Sequence, residues 1–140
     1  MIVLLDTNVL VALCDSRDRL HPRARHDLDR LSRRTHVAGS AVLGECVHLL
    51  ERPDQRERLA RLVAAYAIQP LAAEGDLELH ARVHRWLARY AEHDPDWADG
   101  VLAVAATMLP RARVWTYDRE FWTTWRREDG TRIPLANDIG

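Results

Sequence analysis

The first five residues, Met1 to Leu5, form a run rich in branched apolar side chains that stops abruptly at Asp6-Thr7-Asn8. Polar and apolar positions do not alternate within it, so a strand here is buried on both faces, as in a parallel sheet. Parallel neighbours need crossover connections, usually helices, and the rest of the chain supplies them in alternation. Val9 to Cys14 opens a helix, and Asp15-Ser16-Arg17-Asp18 is a polar break. Pro22 suits the first turn of a helix running to about Arg34. His36-Val37-Ala38 is a second short strand, and Ser40 is placed to cap a helix through Leu50 that ends before Arg52-Pro53. Asp54 starts another helix, with Leu59, Leu62, Val63 and Tyr66 at helical spacing.

Ile68 to Leu71 is a third strand candidate, weakened by Pro70, and Glu74 to Tyr90 is helical in period. Pro95-Asp96 starts a helix that reaches Leu109 and stops at Pro110. Val114 to Tyr117 is a fourth strand, Asp118 to Arg126 a short helix, and Ile133 to Leu135 a candidate edge strand. Strands alternating with helices predict right-handed βαβ crossovers and a three-layer α/β fold with a parallel sheet of four to five strands. With 140 residues and no repeat, linker or low-complexity stretch, residues 1–140 read as one domain.

Charge narrows the function classes. The 20 basic residues, all Arg, face 21 acidic ones, a formal charge of −1 that argues against a polycation binding nucleic acid by bulk charge. Every cation is therefore a planar fork suited to carboxylate or phosphate oxygens. Cys14 and Cys46 lie apart in apolar stretches, without CxxC or zinc-ligand spacing, and read as buried free thiols. The apolar N-terminus is interrupted by Asp6 and has no basic region before it, so it reads as neither a signal peptide nor a membrane span. The expected location is cytoplasmic.

In open parallel sheets, ligands sit at the carboxyl ends of the strands, where strand order reverses. Asp6 ends the first strand and Asp118 the fourth, while Asp96 and Asp99 are three apart at the start of a helix. Glu45 is the one acid in the apolar stretch Ser40 to Leu50, where a charge is costly unless something pairs with it. If these carboxylates converge, they need a cation, and an all-oxygen donor set favours Mg²⁺ or Mn²⁺ over zinc. Metal-assisted phosphodiester hydrolysis is the reaction class this suggests. No P-loop, GxGxxG or GxSxG motif is present to support nucleotide hydrolysis, dinucleotide redox or serine-hydrolase chemistry. Singly, Asp6 and Asp118 also read as helix caps, and Asp96 with Asp99 as an N-cap and N3 pair. His80 and His84 are i,i+4 without HExxH. Trp115, Trp122 and Trp125 read as core or surface anchors, with an RNA groove as the sharper alternative.

Leu4-Leu5-Asp6-Thr7-Asn8-Val9-Leu10, Glu45 some forty residues on, Asp99 opening Asp99-Gly100-Val101-Leu102-Ala103-Val104-Ala105-Ala106, and Thr116-Tyr117-Asp118-Arg119-Glu120-Phe121 together resemble the PIN domain. Within it, the pattern is similar to the VapC-type toxins of bacterial toxin–antitoxin pairs, over essentially the whole chain. The resemblance implies a parallel sheet flanked by helices and a Mg²⁺- or Mn²⁺-dependent endoribonuclease acting on tRNA or rRNA. Carried over by motif, Asp6, Glu45 and Asp99 match the principal metal-binding acids and Asp118 the fourth. Asp96 matches an extra acid of a subset whose segment reads like Asp96-Trp97-Ala98-Asp99. Asn8 and Thr116 match polar positions that orient the acids. Gly100 departs from the commoner Ala, at a mild helix cost.

The resemblance also implies a homodimer held by a cognate antitoxin, which often inserts a basic side chain into the acidic site. Rival readings are a non-catalytic RNA- or protein-binding module, a small metal phosphatase, and a housekeeping RNase without an antitoxin. Setting Asp6, Glu45, Asp99 and Asp118 aside leaves 17 acids against 20 Arg. The remaining surface then tilts modestly basic.

Overall fold

The structure, a computed structural model, describes residues 1–139; Gly140, the last residue of the expected domain, lies outside the described residues. Four parallel strands form the sheet: β1 (Ile2–Leu5), β2 (Thr35–Ala38), β3 (Gln69–Pro70) and β4 (Ala112–Trp115). Their order is β3-β2-β1-β4, so β1 lies inside, pairing Leu4 with Val37 on one side and with Val114 on the other. Leaving β1, the chain builds outward through β2 and β3, then returns to place β4 on the opposite flank. That reversal puts the switch point between β1 and β4.

The helices are α1 (Thr7–Cys14), α2 (His21–Leu31), α3 (Ser40–Leu49), α4 (Pro53–Ala65), α5 (Leu77–Arg89), α6 (Trp97–Met108) and α7 (Glu120–Thr123). Strand side chains alternate between two cores. Leu4, Val37, Ala112 and Val114 pack on α5, α6 and Phe121 of α7, whereas Val3, Leu5, Ala38 and Trp115 pack on α1 to α4. Val3, Leu4 and Leu5 are all buried, the double-sided burial read from the N-terminal run. Each contributes about 1.5–3 kcal/mol of burial. The three-layer α/β architecture is thus the observed one. Among the described residues, no helix is long and apolar enough to cross a membrane.

Helix α6 is buried along nearly its whole length between the sheet and α5: Ala98 and Gly100 through Ala106 are all buried. Gly100 has a packing reason. A Cβ there would stand 2.8 Å from Val83 Cγ1 and 3.3 Å from the Trp86 ring, so α5 crosses α6 where only glycine fits.

Several elements depart from the sequence reading. Ser40 is the first helical residue of α3 rather than its cap; Gly39 takes the N-cap position without a side chain to offer. The Glu74 carboxylate fills that role from far along the chain, accepting from Ser40 N at 2.7 Å and Ala41 N at 3.3 Å. The helical period from Glu74 to Tyr90 is broken: Ala72–Gly75 is a 3₁₀ turn, and α5 begins only after the extended Asp76. The helix expected from Asp118 to Arg126 shrinks to Glu120–Thr123. Ile133 to Leu135 contributes one parallel bridge, Val114 to Leu135, flanked by Val114 N–Pro134 O and Ala136 N–Val114 O bonds of 2.8 Å.

Candidate active site

At the switch point, the carboxyl ends of β1 and β4 deliver Asp6 and Thr116 side by side. Asp6 is the N-cap of α1: its Oδ1 accepts from Thr7 N at 2.7 Å. Its other oxygen, Oδ2, accepts from the Thr116 hydroxyl at 2.7 Å and from Asn8 Nδ2 at 3.3 Å. The Thr116 hydroxyl in turn accepts from Asp118 N at 3.0 Å. Asn8 closes the loop by accepting from Tyr117 N through Oδ1 at 3.1 Å. Asp118 caps the turn into α7 by accepting from Glu120 N at 3.0 Å.

From the other elements come three more acids. Asp96 and Asp99 form a reciprocal capping box at the start of α6, with Asp99 N donating to Asp96 Oδ1 at 2.8 Å and Asp96 N to Asp99 Oδ2 at 3.1 Å. Glu45 projects from α3 beside Thr7 and within electrostatic reach of Asp96. It is only half-buried, because α3 is not buried all round: Val42 and Cys46 face inward while Val47 and Leu49 are exposed.

The acids act on one another. Burial pushes Asp6 up to about 6, against the pull of the Thr116 hydroxyl and Thr7 N–H, and Asp118 and Asp96 push it further. Burial, then Asp96 and Asp6, drive Asp99 up to about 8. Burial followed by Asp96 raises Glu45, and burial, Glu120 and Asp96 raise Asp118. Asp96, placed by the sequence as an extra acid, is the charge the other four share. Among the described residues, no cationic side chain figures among the groups acting on any of these four.

Cys46 lies near Asp6 and Glu45, but burial, with Cys14 and those carboxylates, pushes its thiol up to about 12. Protonated, it donates to Thr7 O at 3.8 Å and offers no thiolate. Among the described residues, no three or more His, Cys, Asp or Glu side chains stand in an arrangement that holds a metal ion. Both oxygens of Asp6, and one each of Asp96, Asp99 and Asp118, are engaged in the capping and strand-end hydrogen bonds just described.

One buried residue of this site had no sequence signal. Asn137 accepts from Thr116 N through Oδ1 at 3.1 Å and donates through Nδ2 to Thr116 O at 2.8 Å. Its amide thereby takes the place of a neighbouring strand at the end of β4. A lone Asn past a candidate edge strand carries no motif, so only the fold reveals it. His80 and His84, by contrast, pack against Trp97 with ring centroids 5.4 and 5.1 Å away. Trp115 and Trp125 are buried, which removes both from any RNA groove; Trp122 is half exposed.

The family model of the PIN domain matches residues 3–124. The chain belongs to the PIN domain family. Among solved structures, this PIN domain is similar to Mycobacterium tuberculosis VapC20, described as a Sarcin-Ricin loop cleaving toxin. The two share 19% identity over 86% of this chain and 95% of that one, with a TM-score of 0.62. It is also similar to VapBC2 from Rickettsia felis, solved bound to a DNA fragment from their promoter. There the identity is 14% over 96% of this chain and 97% of that one, with a TM-score of 0.65. At these identities the likeness is one of fold. A comparison with curated proteins gives no match.

Proposed function

We propose that this PIN domain is a metal-dependent endoribonuclease, a VapC-like toxin that hydrolyses RNA phosphodiester bonds in the cytoplasm. The observation that carries the reading is the gathering of Asp6, Glu45, Asp99 and Asp118 around Asp96, with no side-chain cation among the groups acting on those four. An acid set left without its own counter-charge is built to receive one from outside. The donors are all oxygen, and the nearby thiol is held protonated, so the set fits Mg²⁺ or Mn²⁺ better than zinc.

Asp6, Glu45 and Asp99 would hold the ion, with Asp118 and Asp96 supporting it. When bound, a divalent cation supplies charge to neutralise the carboxylates and the phosphate and eases ionisation of a water. Thr116 and Asn8 fix Asp6 Oδ2, so its position does not depend on the ligand. Attack of a water oxygen on an RNA phosphorus, with the P–O3′ bond breaking and the water's proton passing to the departing 3′ oxygen, would leave a 3′-hydroxyl and a 5′-phosphate. The substrate class follows the solved relative that is named for cleaving the Sarcin-Ricin loop: structured rRNA, or tRNA. A cognate antitoxin fits the same acid cluster, since an inserted Arg or Lys would supply the missing positive charge, and a homodimer is the expected form.

The reading is tested by incubating a total tRNA and rRNA pool with the protein in Mg²⁺, Mn²⁺ or EDTA, beside Asp6→Asn and Asp99→Asn. Defined fragments are expected with either metal, and none in EDTA or from either variant. Equal cleavage by wild type and both variants would sink it. A second reading, a non-catalytic RNA- or protein-binding module, is favoured by one observation: among the described residues, no three acids stand in ion-holding geometry. In the same assay such a module gains no cleavage on addition of Mn²⁺.

A further inference from the structure

The outer edge of β4 carries a second feature, away from the acids. Two cavities of about 430 and 450 Å³ lie side by side there and share Arg113 and Pro134 as a common wall. Both fall within the size range of ligand sites, which begins near about 300 Å³. The first is lined by Arg113, Arg132 and Trp122, with Asp138 as its one acid, the second by Arg111, Arg113 and Arg127. Arg113 donates to Leu135 O at 3.3 Å, Arg132 to Trp122 O at 2.9 Å, and Arg127 to the Thr131 hydroxyl at 2.8 Å. The salt bridges among the described residues are made by Arg30, Arg52, Arg61 and Arg82 rather than by these four edge arginines. Trp122 is 50% exposed, and the Arg132 guanidinium stacks 4.0 Å from its ring centre.

We infer that this edge is an RNA-binding groove, in which Arg111, Arg113, Arg127 and Arg132 take successive phosphates and Trp122 stacks a base. Guanidinium forks match phosphate oxygens and lose little hydration on binding, and an exposed aromatic accepts any base by its face. Both kinds of group are needed for a nucleic-acid strand, whereas an acidic peptide would need only the cations. Asn137 lines the first cavity and holds Thr116, whose hydroxyl holds Asp6, so a wall of the groove is tied through the interior to one of the acids. The inference rests on the endoribonuclease reading for its substrate but adds a separate place where that substrate is held.

The test is fluorescence anisotropy of a labelled single-stranded RNA in EDTA, where cleavage is not expected. Wild type, Arg113→Gln/Arg132→Gln, Trp122→Ala and a matched Arg33→Gln/Arg34→Gln control are compared. The edge double variant is expected to bind at least about tenfold more weakly and to lower the salt slope by about 1.4, since each single-strand phosphate contact accounts for about 0.7. Trp122→Ala is expected to weaken binding several-fold without changing the slope, and the control to bind like wild type. Thermal melts establish that each variant is folded, and Arg113→Lys/Arg132→Lys is expected to restore most of the slope.

Edge variants that bind RNA as wild type does overturn the groove, as does a wild type that fails to bind RNA or that binds only a Glu-rich peptide there. Parallel cleavage with Mn²⁺ separates the two proposals. A wild type that cleaves while the edge variants bind and cleave equally well leaves the nuclease standing without the groove. Edge-dependent binding without any cleavage leaves the groove standing without the nuclease.

Discussion

Asp6 and Asp99 each serve the fold and strain it at once. Asp6 caps α1 and Asp99 completes the capping box of α6, yet both are carboxyls whose charge is disfavoured where they sit. In the unfolded chain each ionises near its ordinary value of 3.8; in the fold Asp6 keeps its proton to about 6 and Asp99 to about 8. Between those values the folded state binds more protons, so stability falls as pH rises from about 4 to 8. For Asp6 alone the shift corresponds to about 3 kcal/mol. Urea unfolding in EDTA is therefore expected to give a midpoint that drops steadily over this range. Asp99→Asn keeps an oxygen to accept from Asp96 N but cannot ionise. At pH 8.5 in EDTA it is expected to exceed wild type by at least about 1 kcal/mol, a few degrees in Tm, and to lose that advantage at pH 4. A variant no more stable than wild type at pH 8.5 would show that the acid cluster stores no such repulsion. The sequence offered a cap and a ligand as rival readings of these acids; the geometry shows the caps, and capping leaves the metal reading open.

At the scale of elements, the strands and the long helices were legible because burial writes a period into the chain. β1 announced itself by five residues without alternation, and α6 by an apolar run that has no polar face. What periodicity does not carry is contact at a distance. Ser40 looked like the cap of α3 because a hydroxyl before an apolar run is the local signal, while the group that caps it is Glu74, brought in by the turn after β3. That same engagement accounts for Glu74 standing in a 3₁₀ turn rather than at the start of α5. Gly100 is the other case: a helix-weakening residue by propensity, required because Val83 and Trp86 of α5 press on it. Val83 is buried and β-branched, so it has little freedom to move aside. Gly100→Ala is expected to cost about 1–3 kcal/mol despite the better propensity of alanine. Chemical denaturation checks it, and a rise in stability would mean that the helices separate freely. Val83→Ala in the same chain is expected to recover part of the Gly100→Ala loss.

Across the whole molecule, strand order decides where chemistry gathers. With β3-β2-β1-β4, the two strand ends nearest the switch point are those of β1 and β4, and the turns after them carry Asp6, Thr116 and Asp118. The sheet ends differently on its two sides. β3 is two exposed residues, one of them Pro70, which blunts that edge. The β4 edge is instead covered by residues 133–137, and this last stretch reaches the site through Asn137. The acids could be found by motif, since they lie in local patterns; the residue that holds Thr116, and through it Asp6, lies in the final stretch and has no pattern.

Asn137→Ala leaves both backbone groups of the fully buried Thr116 without partners, at about 1–3 kcal/mol for each unsatisfied group. It is therefore expected to lower stability by about 2–4 kcal/mol and, at temperatures where it remains folded, to reduce RNA cleavage more than tenfold. Thr116 would no longer hold Asp6 Oδ2 in place. Asn137→Asp still accepts from Thr116 N but cannot donate to Thr116 O when ionised, and it adds a further negative charge behind the acids. Its deficit is expected to shrink as pH falls and the new carboxyl gains a proton. Urea midpoints and cleavage rates measured at pH 5.5 and 8 check both variants. A stable Asn137→Ala protein that cleaves at the wild-type rate would show that the strand ends align Asp6 without help from the C-terminal segment.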